Sequence, residues 1–418
     1  MKKFFLFCMM ALVGMCGLNS CSEDCDHNFI EVDYNKKLAG TWTTIDAENE
    51  FAEALIFNAD GTVTSTGVFE GAFFEKKGTY QIKDNKMTLS FEDGDNIETR
   101  FEMVEGVAFS LVDDELDVRY DYYYCKNDLA DEIIGMWVST DAPTANGDVM
   151  TVQTYKENGK VTYTGFGSYV GEFVVNDETN YKVVGDLLFY ELPQDMLPEG
   201  VYPYIIKRLT YAPNGNAYGD LMVQKSKKYN DDKEVEVVSS MLRIKQHLNL
   251  AGKAYDYNNT YVSNVKGLDE DMTMMGYTFN IGKMEGKNLD KMLKTLLFAV
   301  EFPNANTIKY QYHYNGQTLV FEAPIVVDGN KVTIKMSELS TYYRDVDMYM
   351  FQDQGDCQLH MYMPTYAFIN YFANMDLAAL AFAGEIDVTD EVAVEAIFDR
   401  MDERVESINV SFIFKAAK

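Results

Sequence analysis

The residues with most chemistry to offer are six cysteines and four histidines, and their spacing limits what they can do. His27, His247, His313 and His360 are scattered, with no two at ligand spacing, so no histidine-built zinc site is expected. Cys8 and Cys16 fall in an apolar N-terminal run, and Cys25, Cys125 and Cys357 cannot all pair, so the chain is no disulfide scaffold. Cys21 differs, because it directly follows the apolar run and a small Ser20, where a thiol can be modified. Asp113-Asp114-Glu115 and Asp93-Gly94-Asp95 have the side chains that glycosidases and calcium sites use. In a chain with 66 acidic residues, solvated turns account for them better, and the EF-hand pattern is absent. There is no Gly-x-Ser-x-Gly elbow, His-Glu-x-x-His, P-loop, Cys-x-x-Cys or Gly-x-Gly-x-x-Gly after a strand. We therefore expect no enzyme, no metal and no cofactor.

Lys2 and Lys3 precede an apolar run from Phe4 to about Leu18, the charged and hydrophobic regions of an export signal, too short to span a bilayer as a helix. Leu18-Asn19-Ser20-Cys21 resembles the lipobox of bacterial lipoproteins, with Asn19 larger than the usual residue at its position. That resemblance implies a signal peptide over 1–20, diacylglycerol on Cys21 and a lipidated tether over 21–36. An ordinary signal cut nearby, with Cys21 a bystander, is the alternative. Ser22-Glu23-Asp24-Cys25-Asp26 resembles the acidic tag that directs Bacteroidetes lipoproteins to the outer face of the outer membrane. The expected address is a lipid-anchored, surface-exposed position, with a periplasm-facing one as runner-up.

Loss of Lys2 and Lys3 with the signal takes the formal charge from −30 to −32. A polyanion of this size repels phosphate backbones, which excludes nucleic acid as a partner. At 418 residues, 47% of them hydrophobic, the chain is long and apolar enough for two or three cored domains.

The elements repeat. Leu38-Ala39-Gly40-Thr41-Trp42 is echoed by Ile133-Ile134-Gly135-Met136-Trp137, which hold the two tryptophans. About twenty residues after each comes a hairpin turn, Asn58-Ala59-Asp60-Gly61 and Glu157-Asn158-Gly159. Alternating strands follow: Met87, Leu89 and Phe91 share a face, as do Tyr120, Tyr122 and Tyr124. Residues 37–126 and 129–228 thus form two small antiparallel units. Gly-x-Trp followed by a meander resembles the lipocalin-like domains of Bacteroidetes lipoproteins. In such barrels the tryptophan plugs the closed end, which implies a packing role for Trp42 and Trp137.

The charged stretch Lys225 to Glu236 predicts a linker, placed at 229–247, before a third domain over 248–418. That domain opens with Leu250-Ala251-Gly252-Lys253-Ala254-Tyr255, a faint echo of the first unit. Strands are predicted at 273–282, 306–314, 317–323, 331–336, 346–352, 357–363 and 406–415. Helices are predicted over 288–298, over 364–383 with Gly384 as C-cap, and after a Thr389 N-cap. The expected fold class is mainly β: two small antiparallel lipocalin-like meander barrels, then a larger calycin-like barrel with inserted helices.

Residues 364–383 are apolar on nearly every side, interrupted by Asn370, Asn374 and Asp376, so a core helix is expected before a membrane span. A sharper reading makes it a lid on the third barrel. Twelve of the 23 methionines fall in this domain, among them Met272, Met274, Met275, Met348 and Met350, and methionine suits adaptable apolar pockets. Phe368, Phe372, Met361 and Met363 are the candidate pocket residues there, with strand faces as the plainer reading. The expected role is a non-enzymatic binding or accessory lipoprotein for a small apolar ligand. A surface glycan-binding protein of a nutrient-uptake system and a protein-binding module (inhibitor or adhesin) are the alternatives.

Overall fold

The computed structural model describes residues 34–46, 51–114, 117–139, 148–167, 174–175, 178–192, 204–216, 219–230, 233–274 and 277–417. The export signal, Cys21, the acidic tag, Glu115 and Met275 lie outside the described residues.

Alternation of apolar and polar residues gives each strand one inward face, and a closed ring is the arrangement that leaves no strand edge unpaired. The chain solves this three times. In the first unit eight antiparallel strands from 40 to 125 each pair with the next and close into a barrel. Gly40–Asp46 meets Val118–Cys125, with Trp42 opposite Tyr124. The turn at Asp84 and Asn85 has φ of 52° and 60°, the two left-handed residues that a tight twisted hairpin requires. Met87, Leu89 and Phe91 are buried on one face, as their alternation predicts.

The second unit closes in the same sense, as a ring-like sheet. Gly135–Ser139 pairs with Met150–Tyr155 on one side and Lys233–Ile244 on the other, and Trp137 lies opposite Arg243. The linker expected at 229–247 is therefore corrected. Gly219–Asn230 and Lys233–Ile244 form a long hairpin whose second strand shuts the ring, and Lys225 pairs with Glu236 across it at 3.4 Å. The charged residues of this hairpin give it the composition of a linker, yet the second unit runs to 244.

The third unit is again an eight-stranded closed barrel. Its first two strands, Lys253–Gly267 and Ala299–Asn304, escape the sequence reading because polar residues break their alternation. The expected strand at 273–282 is instead a two-stranded hairpin, Asp271–Met274 with Tyr277–Asn280, outside the ring. Among the described residues four α-helices accompany the barrels: α1 (Tyr34–Leu38), α2 (Gly286–Thr295), α3 (Thr365–Ala383) and α4 (Glu391–Arg404). Gly384 caps α3 with φ 72°. Asp390, not Thr389, caps α4 by accepting from the amides of Val392 and Ala393; the Thr389 hydroxyl donates to Asp387 instead.

The repeated tryptophans do the same local job. Both are buried, and each indole N–H donates four residues back, Trp42 to the Leu38 carbonyl at 2.8 Å and Trp137 to the Ile133 carbonyl at 2.6 Å. The bond ties the ring's first strand to the turn that leads into it. The Arg243 guanidinium lies 4.7 Å from the Trp137 ring centre, a cation–π contact where the first unit has the Tyr124 ring at 5.0 Å from Trp42.

Two apolar seams join the units. Ala52, Ala54 and Val68 on the outside of the first barrel pack against Val184, Leu187 and Phe189 of the second. Phe166, Val152, Leu242 and Ile244 of the second pack against Phe351 and Tyr362 of the third.

Phe189 is fully buried in the first seam with its ring 5.8 Å from Phe73. Phe189→Ala is expected to cost roughly 3–5 kcal/mol and to separate the calorimetric transition of the first barrel from that of the second. In the third barrel, burial pulls the pKa of His360 down to about 4 from an ordinary value near 6.5. Between those values the unfolded chain binds a proton that the folded one refuses. Stability from this group is thus complete above pH 6.5 and falls by roughly 3 kcal/mol as pH drops to about 4. Urea titrations over that window should show a smaller acid loss in His360→Gln than in the native protein.

Candidate binding cavity

The candidate pocket residues of the third barrel lie in its core. Phe368, Phe372, Met361 and Met363 are all buried within one continuous core, together with Met348 and Met350. Helix α3 is not a lid but part of the filling. Every residue from 367 to 379 except Asn370 is buried, against inward side chains such as Tyr310, Phe412 and Phe414. Its polar residues are satisfied locally: Asn370 donates to the Asp345 carbonyl at 3.0 Å, Asn374 to the Arg344 carbonyl at 2.8 Å, and Asp376 pairs with Arg400. A hollow of about 80 Å³ beside Tyr255 and Val300 has room for little more than water.

The first barrel is hollow. Its interior holds a cavity of about 500 Å³, within the range of roughly 300–1,000 Å³ usual for small-molecule sites. The inward positions of its strands explain the lining. Phe51–Phe57 sends Phe51 and Glu53 into the cavity and Leu55 and Phe57 into the core beneath, while Ala52 and Ala54 face the seam. Thr62–Phe69 contributes Ser65 and Phe69; Asn96–Val104 contributes Ile97 and Thr99; Val118–Cys125 contributes Tyr120 and Tyr122. Phe74, Leu89, Phe91 and Leu111 complete a mostly apolar wall.

The floor is a stack of rings. Tyr122 lies flat on Phe109, centres 4.8 Å apart, and Phe109 stands edge-on to Trp42 at 5.2 Å. Trp42 and α1 thus close this end.

One carboxylate sits inside. Glu53 accepts hydrogen bonds from the Ser65 hydroxyl on one oxygen and the Tyr122 hydroxyl on the other. Burial pushes its pKa up, and the two hydroxyl donors and the charge of Lys76 only partly offset that. Elsewhere in the cavity wall, the Thr99 hydroxyl oxygen is shielded from solvent and has no partner among the described residues. Lys76, also in the wall, is engaged outward, with Asp93 at 2.9 Å and with Asp95. Asp93-Gly94-Asp95 is therefore a lysine clamp, and Asp114 pairs with Arg100 at 3.0 Å.

Among the described residues no group of three or more His, Cys, Asp or Glu is arranged to hold a metal ion. Cys125 and Cys357 are both free thiols, in different barrels. Trp42 and Trp137, being buried, offer no exposed ring.

The sequence reading missed Glu53 although a signal was present. Period-two alternation in Phe51-Ala52-Glu53-Ala54-Leu55-Ile56-Phe57 puts a carboxylate among three large apolar side chains on one face.

No family model matches the chain, and no curated protein matches it. Among solved structures the chain is similar to a porin-like protein from Bacteroides uniformis, at 10% identity over 48% of this chain and 94% of that one, TM-score 0.12. It is also similar to transferrin binding protein B of Neisseria meningitidis, at 9% identity over 88% of this chain and 66% of that one, TM-score 0.18.

A carboxyl whose pKa is raised on folding supports the fold below its unfolded pKa and opposes it as pH rises through the folded value. Glu53→Gln keeps the shape and an acceptor for the two hydroxyls. It is expected to melt higher than the native protein at pH 8, with the difference vanishing below about pH 4. An unchanged melting temperature at pH 8 would show that Glu53 is ionised there at no cost.

Proposed function

We propose that this chain is a non-enzymatic, lipid-anchored binding protein of the outer membrane, and that its first barrel holds a small apolar ligand. The cavity of about 500 Å³ carries the reading, with its largely apolar wall and few convergent polar groups. Three features set it apart from an accident of packing. The third barrel closes with the same eight-strand ring around a continuous core. The wall exposes Phe69 and Ile97, which are 47% and 43% accessible, where a ligand would cover them. The polar cluster built on Glu53 sits at the floor, where it can orient a ligand without lining the rest of its path.

The anchor and surface position rest on Leu18-Asn19-Ser20-Cys21 and the acidic residues after it. In this reading the second and third barrels are the body on which the binding barrel is mounted.

N-phenyl-1-naphthylamine, a neutral dye that brightens in apolar surroundings, should bind residues 26–418 at one site. Leu111→Trp fills the cavity and is expected to abolish the brightening, while Met361→Leu in the third barrel leaves it intact. Dye binding that survives Leu111→Trp would remove the first barrel as the site.

A further inference from the structure

The cavity's polar chemistry points to a narrower ligand class. The polar cluster built on Glu53 presents acceptors to a ligand. The Ser65 and Tyr122 hydroxyl protons are already spent on Glu53. Glu53, bound on each oxygen once, retains acceptor capacity on both, since a carboxylate offers about four lone-pair sites. The Thr99 hydroxyl is shielded and unbonded, and can either donate or accept. A ligand that engages Glu53 must bring a donor.

Charge selects among donors. The one cation in the wall, Lys76, is held by Asp93 and Asp95, so that cluster carries a net negative charge rather than a positive one. Asp46, Glu53 and Asp113 all act on the Tyr120 hydroxyl near the mouth. The whole chain is strongly acidic. An anionic amphiphile would enter against this field and find no free cation, whereas a cation is drawn in. The ring faces favour the same choice. Phe51, Phe69, Phe74, Phe91, Tyr120 and Tyr122 surround the space, and aromatic faces attract ammonium groups, more so when these are desolvated.

Resting on the cavity reading above, we propose that the first barrel's ligand is an apolar molecule bearing one amine, whose ammonium group pairs with Glu53. Such a ligand brings a positive charge into direct contact with a buried carboxylate that Lys76 reaches only through its field.

Dodecylamine, dodecan-1-ol and dodecanoate share one tail and differ in the head, so competition of the three against bound N-phenyl-1-naphthylamine isolates the head's contribution. The amine is expected to displace the dye at a concentration about tenfold below that of the alcohol, which corresponds to one charge-assisted hydrogen-bonded pair, and dodecanoate should be weakest. In Glu53→Gln the amine-to-alcohol ratio should fall to near one. An amine advantage that persists in Glu53→Gln would assign it to the acidic surface and overturn the proposal, as would equal displacement by all three heads. Tightest binding by dodecanoate would overturn it in favour of Lys76. A native protein that takes up no dye would overturn the cavity reading itself, and this inference with it.

Discussion

Everything in this molecule follows from closing a meander of eight strands on itself. A ring satisfies every backbone donor and acceptor, but it also fixes the interior to a width that side chains from eight strands just fill. The three units answer that constraint in three ways. The third fills its ring with a helix whose apolar residues point in all directions, which is why α3 needs no solvent face. The second adds a buried hydrogen-bonded cluster: Tyr155 donates to Gln153 at 2.6 Å, and Gln224 reaches both at 3.2 Å. The first leaves the upper half of its ring empty above the Tyr122–Phe109–Trp42 stack.

Closure also settles where the units end. A ring is complete only when its last strand returns to its first, so the second unit cannot stop at 228 without opening an edge from Gly135 to Ser139. Once closed, the outer faces become available for contact, and the small Ala52 and Ala54 let the second barrel approach the first. Polar bonds flank that seam. Thr43 donates to Asp186 at 2.8 Å, and Arg208 donates back to Thr43 at 3.1 Å. Bonds to a partly buried ion pair are sensitive to misalignment, so they fix the orientation that the apolar contact alone would leave loose.

Much of this was legible because it is local. Gly-x-Trp, the Asp-Gly and Asn-Gly turns and the period-two faces each depend on a few neighbouring residues, and they announce mainly β architecture and the repeat. The location of the hollow was not legible. Met361, Met363, Phe368 and Phe372 have the composition of a pocket, yet composition cannot say whether the space they line is already occupied, here by one another. Emptiness is a sum over eight strands, set by which inward positions carry small side chains such as Ser65 and Ala72. Glu53 was locally visible, but among so many acids its meaning comes only from the face it shares with Phe51, Leu55 and Phe57.

The first barrel departs from close packing where the third does not. It leaves space unfilled, exposes Phe69 and Ile97, leaves the Thr99 hydroxyl unbonded and buries a carboxylate that Lys76 reaches only through its field. Each departure weakens the fold, and an apolar residue at position 53 would relieve the most costly of them. Such departures scattered through a structure would suggest poor packing. Here several of them meet in one cavity, and local inconsistency concentrated in one place is the physical mark of a site shaped for something other than stability. The missing atoms are the ones a ligand would supply: apolar bulk for the wall, a donor for Glu53, and a positive charge at the floor.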